Sequence, residues 1–309
     1  MSAGAIDPGL AAGPVPDVPP PTAASQRLRQ RQWLATLAAA MRLTRTRVGL
    51  GLMTIMVLIA LLGPLFAPHS PTAFIGIPNS GPSSHVLFGT DYLGRDVFSR
   101  FLHGGLSVLY LAVASTAVGI ILGLVIGLSA AYAGGVVDEV LMRISDVFLA
   151  FPQIVFALLL VSAFGPKLWL LVLTVGISHA PRVARVLRGA AQQVVERDFI
   201  KAAEAVGESR WRILFSELLP NVTSPLLVET GLRLTYSIGL VAGLSFLGFG
   251  LQPPNADWGL MINENRVSLT VQPWGVVLPV LAIALLTIGT NLFTDGIARA
   301  AIGLDRSES

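Results

Sequence analysis

The residues able to do chemistry are few. The 309-residue chain holds four histidines and no cysteine. His69, His85, His103 and His179 are scattered, with no HExxH or other ligand spacing, so the sequence offers neither a metal site nor a membrane metalloprotease. Without cysteine there are no disulfides, no thiolate nucleophile and no Cys-built metal site. There is no GxSxG elbow and no convincing Ser/His/Asp order. A phosphate loop of the GxxxxGK[ST] kind is also missing, because Gly165-Pro166-Lys167 lacks the glycine cradle and the strand before it. Any nucleotide hydrolysis therefore belongs to another polypeptide. The residue types argue against an enzyme.

The remaining charges fall into two patterns. Glu139 and Arg143 are spaced i, i+4 with Asp146 three residues on, and Glu229 and Arg233 repeat the spacing, so each set can pair on one helical face. Both are expected at the ends of spans, which leaves span centres neutral and argues against a proton-driven relay. The second pattern is the stretch Asp198–Asn221. Asp198 can cap a short helix with apolar positions Phe199, Ile200, Ala203 and Val206, and Gly207 supplies a positive-φ stop. Ser209 can cap a second helix burying Trp211, Leu214, Phe215 and Leu218, which Pro220 ends. The product is a helix–turn–helix lying on a membrane face.

These groups are held by a strongly apolar chain. Hydrophobic residues make up 53% of it and charged residues 13%, where a soluble domain carries about a quarter charged. Mean hydropathy is +0.70. Residues 1–26 contain six prolines among Ala, Gly and Ser and are expected to be disordered. The basic tail follows, with Arg27, Arg29, Arg31, Arg42, Arg45 and Arg47. Six spans are expected: Val48–Ala67, Leu106–Tyr132, Val147–Phe164, Leu168–Pro181, Leu234–Gly250 and Trp274–Thr294. The fourth is short and is completed by snorkelling of Arg182 and Arg185. With the N-terminus inside, 17 of the 21 Lys and Arg residues fall on the cytoplasmic side, leaving Arg95, Arg100, Lys167 and Arg266 outside. The positive-inside rule therefore puts both termini in the cytoplasm. The pI of 9.7 does not point to nucleic acid, since no basic patch is interleaved with aromatics. Small residues recur every fourth position at Ser115, Gly119, Gly123, Gly127 and Ala131, with Gly239 and Gly243 echoing them. Such a face permits close helix packing and also sliding between helices.

The hairpin resembles the EAA loop of permease subunits of ATP-binding-cassette importers, whose pattern is Glu-Ala-Ala, three residues, Gly, and Leu-Pro about a dozen later. Lys201, Ala202, Ala203, Gly207, Leu219 and Pro220 occupy those positions, with Glu204 beside them and Lys201 standing where the pattern has Glu. His85–Arg100 resembles the Gly-Thr-Asp-x-x-Gly-Arg-Asp stretch of the dipeptide/oligopeptide C-type permeases. Ser245–Pro254 with Trp258-Gly259, and Asn291–Gly296, resemble the same subunits. The resemblance runs in order over roughly residues 40–305. It implies an all-α polytopic membrane protein with six transmembrane helices and a cytoplasmic coupling hairpin at 198–221. The corresponding divisions are a tail (1–46), a first helix with its extracytoplasmic loop (47–104), a permease core (105–300) and a C-terminal tail (301–309).

The resemblance also implies partners: a second, B-type permease, two ATPase domains, an extracytoplasmic substrate-binding protein and membrane lipid. ATP and Mg would be bound by the ATPase subunits, with no cofactor in this chain. The location implied is the bacterial inner membrane. Peptides are the implied cargo, with nickel or a nickel chelate as the alternative, since nickel permeases share much of the pattern. The lining residues are not assigned.

Overall fold

The computed structural model describes residues 37–305. The proline-rich segment, Arg27, Arg29, Arg31 and Arg306 lie outside the described residues. Helix α1 (Thr44–Leu62) runs into a 3-10 turn at Gly63–Phe66. A loop then leads to α2 (Val97–Ala133), 37 residues long and so about 55 Å from end to end. The Asp96 carboxylate caps α2 by accepting from the Phe98 and Ser99 amides, and Gly134, at φ 60°, ends it. Then come α3 (Gly135–Ala150), α4 (Gln153–Phe164) and α5 (Leu168–Val195). Among the described residues no strand forms; the loop before α2 has two isolated bridges, Phe74 with Arg95 and Thr90 with Asp96.

Among the described residues, four helices are long and apolar enough to cross a membrane, namely Thr44–Phe66, α2, α5 and residues Trp274–Ala301. Helices α3 and α4 meet that test only as a pair, bent by 85°, which makes five if the pair is one span. The bend falls at Phe151-Pro152, where proline disfavours helix in the residue before it. The expected fifth span is α8 (Thr223–Phe246), which falls short of the same test because it carries Glu229, Arg233 and several hydroxyl side chains. Length and composition therefore give four or five spans where the sequence pattern suggested six.

The expected end of the fourth span at Pro181 is corrected. Helix α5 continues through Pro181 to Val195, so Arg182, Arg185 and Arg188 lie on it rather than in a following loop. Pro181 is buried, and a neighbouring helix holds α5 together where the proline has removed one backbone bond. That neighbour is α2. A Cβ added at Gly119 would lie 3.0 Å from the Gly176 carbonyl oxygen, and one at Gly127 2.6 Å from that of Ala184. The small-residue stripe is therefore the seam of the bundle. The echo at Gly239 and Gly243 does not behave this way, because a Cβ there would meet nothing within 4 Å.

Helix α10 (Trp274–Asp305) packs along α1 and passes the residue-300 boundary drawn from the sequence. Between α8 and α10, the short α9 (Trp258–Asn265) closes one end of the bundle. Its Trp258 is fully buried, stacks on Phe101 at 5.8 Å and donates its indole N–H to the Phe101 carbonyl at 2.9 Å.

Candidate functional site

The hairpin is built from α6 (Asp198–Ala205) and α7 (residues 210–221). The turn between them is set by hydrogen bonds that the α6 C-terminus would otherwise leave unmade. The Glu208 N–H donates to the Ala203 carbonyl at 3.1 Å and the Gly207 N–H to that of Glu204 at 3.0 Å. This is a Schellman closure, which needs a left-handed residue after the cap. Gly207 supplies it at φ 84°. The Ser209 hydroxyl then caps α7 by accepting from the Arg212 N–H, and Glu208 pairs with Arg212 at 3.1 Å. Helix α7 passes from Arg210–Arg212 through a π-helical segment, Ile213–Leu218, to Leu219–Asn221. Wide turns of this kind are frequent at functional sites.

The hairpin is seated by its inner faces. Ile200, Ile213, Leu214, Leu218 and Val222 form one cluster with Leu128 and Ala131 of α2 and Ala191 of α5. Ala203 and Leu219 pack against that cluster, and Ala202 and Pro220 are half-buried. Lys201, Glu204 and Gly207 are exposed. The matched residues therefore divide into a seat and an outward surface carrying one positive and one negative side chain.

Three expectations for the hairpin change. Asp198 is the first residue of α6, with Arg197 in the cap position and no side-chain capping bond. Pro220 does not end α7, which continues to Asn221; a proline near the start of a helical turn costs no hydrogen bond there. Trp211 and Phe215 are not buried: they are 64% and 47% exposed and stack on each other at 6.1 Å. Ile213, Leu214 and Leu218 take the inward positions instead.

The charged side chains also sort differently from the sequence reading. Glu139 and Arg143 pair at 3.5 Å as spaced, on an exposed face. Asp146 instead reaches across to Arg185, and Asp138 takes Arg188, so two ion pairs tie α3 to α5. Glu229 and Arg233 pair at 3.1 Å, and the helix that carries them begins six residues before Glu229, at Thr223. They sit in the body of α8 and are buried.

A second polar site lies at the opposite end of α2. Asp91, in the loop, accepts from the Arg95 Nε–H at 2.6 Å and lies 3.4 Å from Arg100 Nε. Glu264 of α9 accepts from Arg100 at 2.7 Å and from Arg95 at 3.2 Å. All four side chains are at least nine-tenths buried. Burial opposes the charge on Arg95, yet the carboxylates of Asp91 and Glu264 outweigh it and hold its pKa above the ordinary value. Burial, followed by the charge of Glu264, likewise raises the Tyr92 hydroxyl. Beside this cluster Asp257 caps α9 by accepting from the Leu260 N–H at 3.0 Å and takes the Ser107 hydroxyl at 2.6 Å. Burial pushes its carboxyl up, against the pull of those hydrogen bonds. The network clamps the loop onto α9 and the start of α2. The sequence carried its signal in the spacing of Asp91, Arg95, Asp96 and Arg100, but Glu264 is too distant in sequence for spacing to find. Among the described residues, no group of His, Asp and Glu is arranged to hold a metal ion.

The arrangement is that of a helical membrane bundle with a seated hairpin at one end and a clamped loop at the other. Residues 119–302, which span the small-residue seam, the hairpin, α8 and nearly all of α10, match the family described as binding-protein-dependent transport system inner membrane component. The chain belongs to that family. As an inner membrane transport component it is a multi-pass membrane protein, and the family's role is not catalytic. It is 40% identical to the glutathione transport system permease protein GsiD of Pectobacterium atrosepticum over 72% of this chain and 74% of that one. It is 33% identical to the dipeptide transport system permease protein DppC of Alkalihalophilus pseudofirmus over 93% of this chain and 94% of its relative. The probable D,D-dipeptide transport system permease protein DdpC of Escherichia coli is 34% identical over 80% and 83%. The family resemblance read from the motifs is thereby borne out.

Proposed function

We propose that this chain is a permease subunit of an ATP-driven importer of dipeptides and oligopeptides, forming the pathway together with a second, non-identical permease. The observation that carries the cargo is similarity over nearly the whole chain to a dipeptide permease. The relative named for glutathione, itself a tripeptide, agrees. These names favour peptide over nickel. In this reading, two ATPase domains bind ATP and Mg, and an extracytoplasmic binding protein delivers the peptide.

The hairpin couples the bundle to an ATPase subunit, and its anatomy supports the role. The cluster that seats it on α2 and α5 passes a push on Lys201, Ala202 and Glu204 directly to both sides of the glycine seam. Contacts along that seam are close: a Cβ at Gly119, Gly123 or Gly127 would come within 3.0 Å of the Gly176, Ala180 or Ala184 carbonyl oxygen, and at the first two positions it would also meet His179 or Val183. Lys201, standing where related loops carry a carboxylate, meets an acidic groove on the ATPase or a lipid phosphate. In this reading six spans are kept, and the hairpin end and both chain termini are cytoplasmic, which the distribution of basic residues supports.

Proteoliposome uptake tests the reading. The complex purified with its partners should accumulate a labelled dipeptide only when ATP and the binding protein are both present, and should not accumulate nickel. Nickel uptake without peptide uptake would refute the cargo, and peptide uptake without ATP would refute the energy source.

A further inference from the structure

Trp211 and Phe215 lie on the outer side of α7, exposed and stacked on each other. They do not stand clear of the bundle. With Leu124, Val125 and Leu128 of α2 they line one apolar groove. Along α2, Leu106, Tyr110, Val113, Ala117, Ile121 and Val125 are all exposed and recur every three or four residues, so they form one strip on the helix. Ala117, Ile121 and Val125 each precede a seam glycine by two residues, about 200° round the helix. The strip is thus turned away from α5, and apart from the Tyr110 hydroxyl its side chains are hydrocarbon. From Leu106 to Val125 is about 20 residues, or about 30 Å, the thickness of the hydrocarbon layer of a bilayer.

The aromatic pair begins where the strip ends. One turn beyond Val125 the same face reaches Leu128 and Ser129, which are no longer exposed and lie in the groove beside Trp211 and Phe215. The two rings therefore stand at the depth where acyl chains give way to headgroups. Tryptophan concentrates at that depth, because its ring is apolar and its N–H still takes a polar partner. A soluble subunit would have to enter the bilayer to reach Val125, so lipid fits the groove better than an ATPase does. The charges beside the rings are positive. Arg210 and Arg212 are both exposed; Arg212 is paired with Glu208, whereas Arg210 makes no ion pair among the described residues. An arginine stem can lie along apolar surface while its guanidinium reaches the phosphates.

We propose that Trp211, Phe215 and Arg210 form a binding surface for an anionic phospholipid of the leaflet at the hairpin end, with an acyl chain in the α2–α7 groove and the phosphate at Arg210. The hairpin is then held from two sides, by the cluster around Ile200 and Leu218 within the bundle and by lipid on the outer face of α7. This surface is independent of which cargo the bundle carries.

The test reads Trp211 by fluorescence in the assembled transporter in nanodiscs, as the emission of wild type minus that of Trp211→Phe. Phospholipid brominated near the headgroup end of an acyl chain quenches an indole that touches it. The difference emission should fall about twofold or more in such lipid. No loss overturns the proposal: quenching by aqueous iodide alone would put the ring in water, and quenching by neither would put it under a protein partner. The headgroup is tested by diluting the brominated lipid into plain phosphatidylcholine. The fraction giving half of the loss should be about fivefold lower for brominated phosphatidylglycerol than for brominated phosphatidylcholine, the worth of one arginine at an anionic surface. Arg210→Gln should bring the two fractions together. Equal fractions in wild type, or a fivefold difference that survives Arg210→Gln, overturns the assignment of the phosphate to Arg210. If Trp211→Phe does not assemble, Phe215→Trp minus wild type gives the same readings from the other ring.

Discussion

Replacing Gly127 with alanine probes the seam on which the hairpin pushes. The new Cβ would lie 2.6 Å from the Ala184 carbonyl oxygen, 3.1 Å from Ala184 Cα and 3.2 Å from the Arg188 nitrogen. All three are backbone atoms and cannot rotate away. Ordinary contact is about 3.5 Å, so α2 and α5 must part by roughly 1 Å. Overpacking of this size costs about 1–3 kcal/mol, and the better helix propensity of alanine offsets up to about 1 kcal/mol of it. With the full offset the expected net loss is about 0–2 kcal/mol, from the same two terms. Gly239→Ala is the matched control: with open space at that position, the variant should be unchanged or more stable by up to about 1 kcal/mol. Unfolding of both variants in lipid nanodiscs, followed by helical circular dichroism, gives the comparison. Equal stabilities, or a larger loss at Gly239, would refute the view that the α2–α5 contact is what requires glycine.

Three further outcomes are expected. Gly207→Ala places a Cβ on a left-handed residue with no neighbour to clash with, so it should cost about 1–2 kcal/mol locally. Amide exchange should then quicken across residues 203–212 while α2 and α5 stay protected, and unchanged exchange there would contradict the Schellman closure. Glu264→Gln removes the carboxylate shared by two buried arginines and should destabilise the protein by about 3–5 kcal/mol; a thermal midpoint at the wild-type value would show that the loop clamp carries no load. Asp257 has a folded-state pKa raised by burial, so its stabilising contribution is full below its unfolded pKa and is lost as pH rises through the folded one. Asp257→Asn keeps the capping oxygen without the charge, so wild type should lose stability relative to this variant as pH rises across that interval. Parallel stability curves would contradict the raised pKa.

What the sequence made legible follows the range of the interactions. Uncharged runs, the small-residue stripe and the Gly207 turn are local patterns, and each reappears as a helix, a seam or a left-handed cap. Partner choice between distant residues was not legible. Spacing put Asp146 with Arg143, whereas the fold gives it to Arg185, because α3 and α5 are brought side by side. The i, i+4 rule found Glu229 and Arg233 but not their depth, which is set by the helices around α8. The uncharged run stops at Pro181 because Arg182 follows, whereas the helix carries on through both residues, and Pro220 falls one residue before the end of α7 rather than at it. The inward and outward sides of α7 were also hidden, since a π-helical segment does not follow the 3.6-residue period on which Trp211 and Phe215 were assigned to the buried face.

The coupling role of the hairpin is tested most directly at the residues that face away from its seat. In the complex assembled with its ATPase and binding-protein partners, Lys201→Glu and Glu204→Arg reverse exposed charges and leave the buried residues around Ile200 and Leu218 in place, although Glu204 also gives up its contact with Tyr132 at the edge of the seat. Substrate-stimulated ATP hydrolysis is the measurement. Both variants should insert and the bundle should stay folded, while stimulation by peptide-loaded binding protein is lost. Stimulation at the wild-type level in both would contradict the coupling assignment.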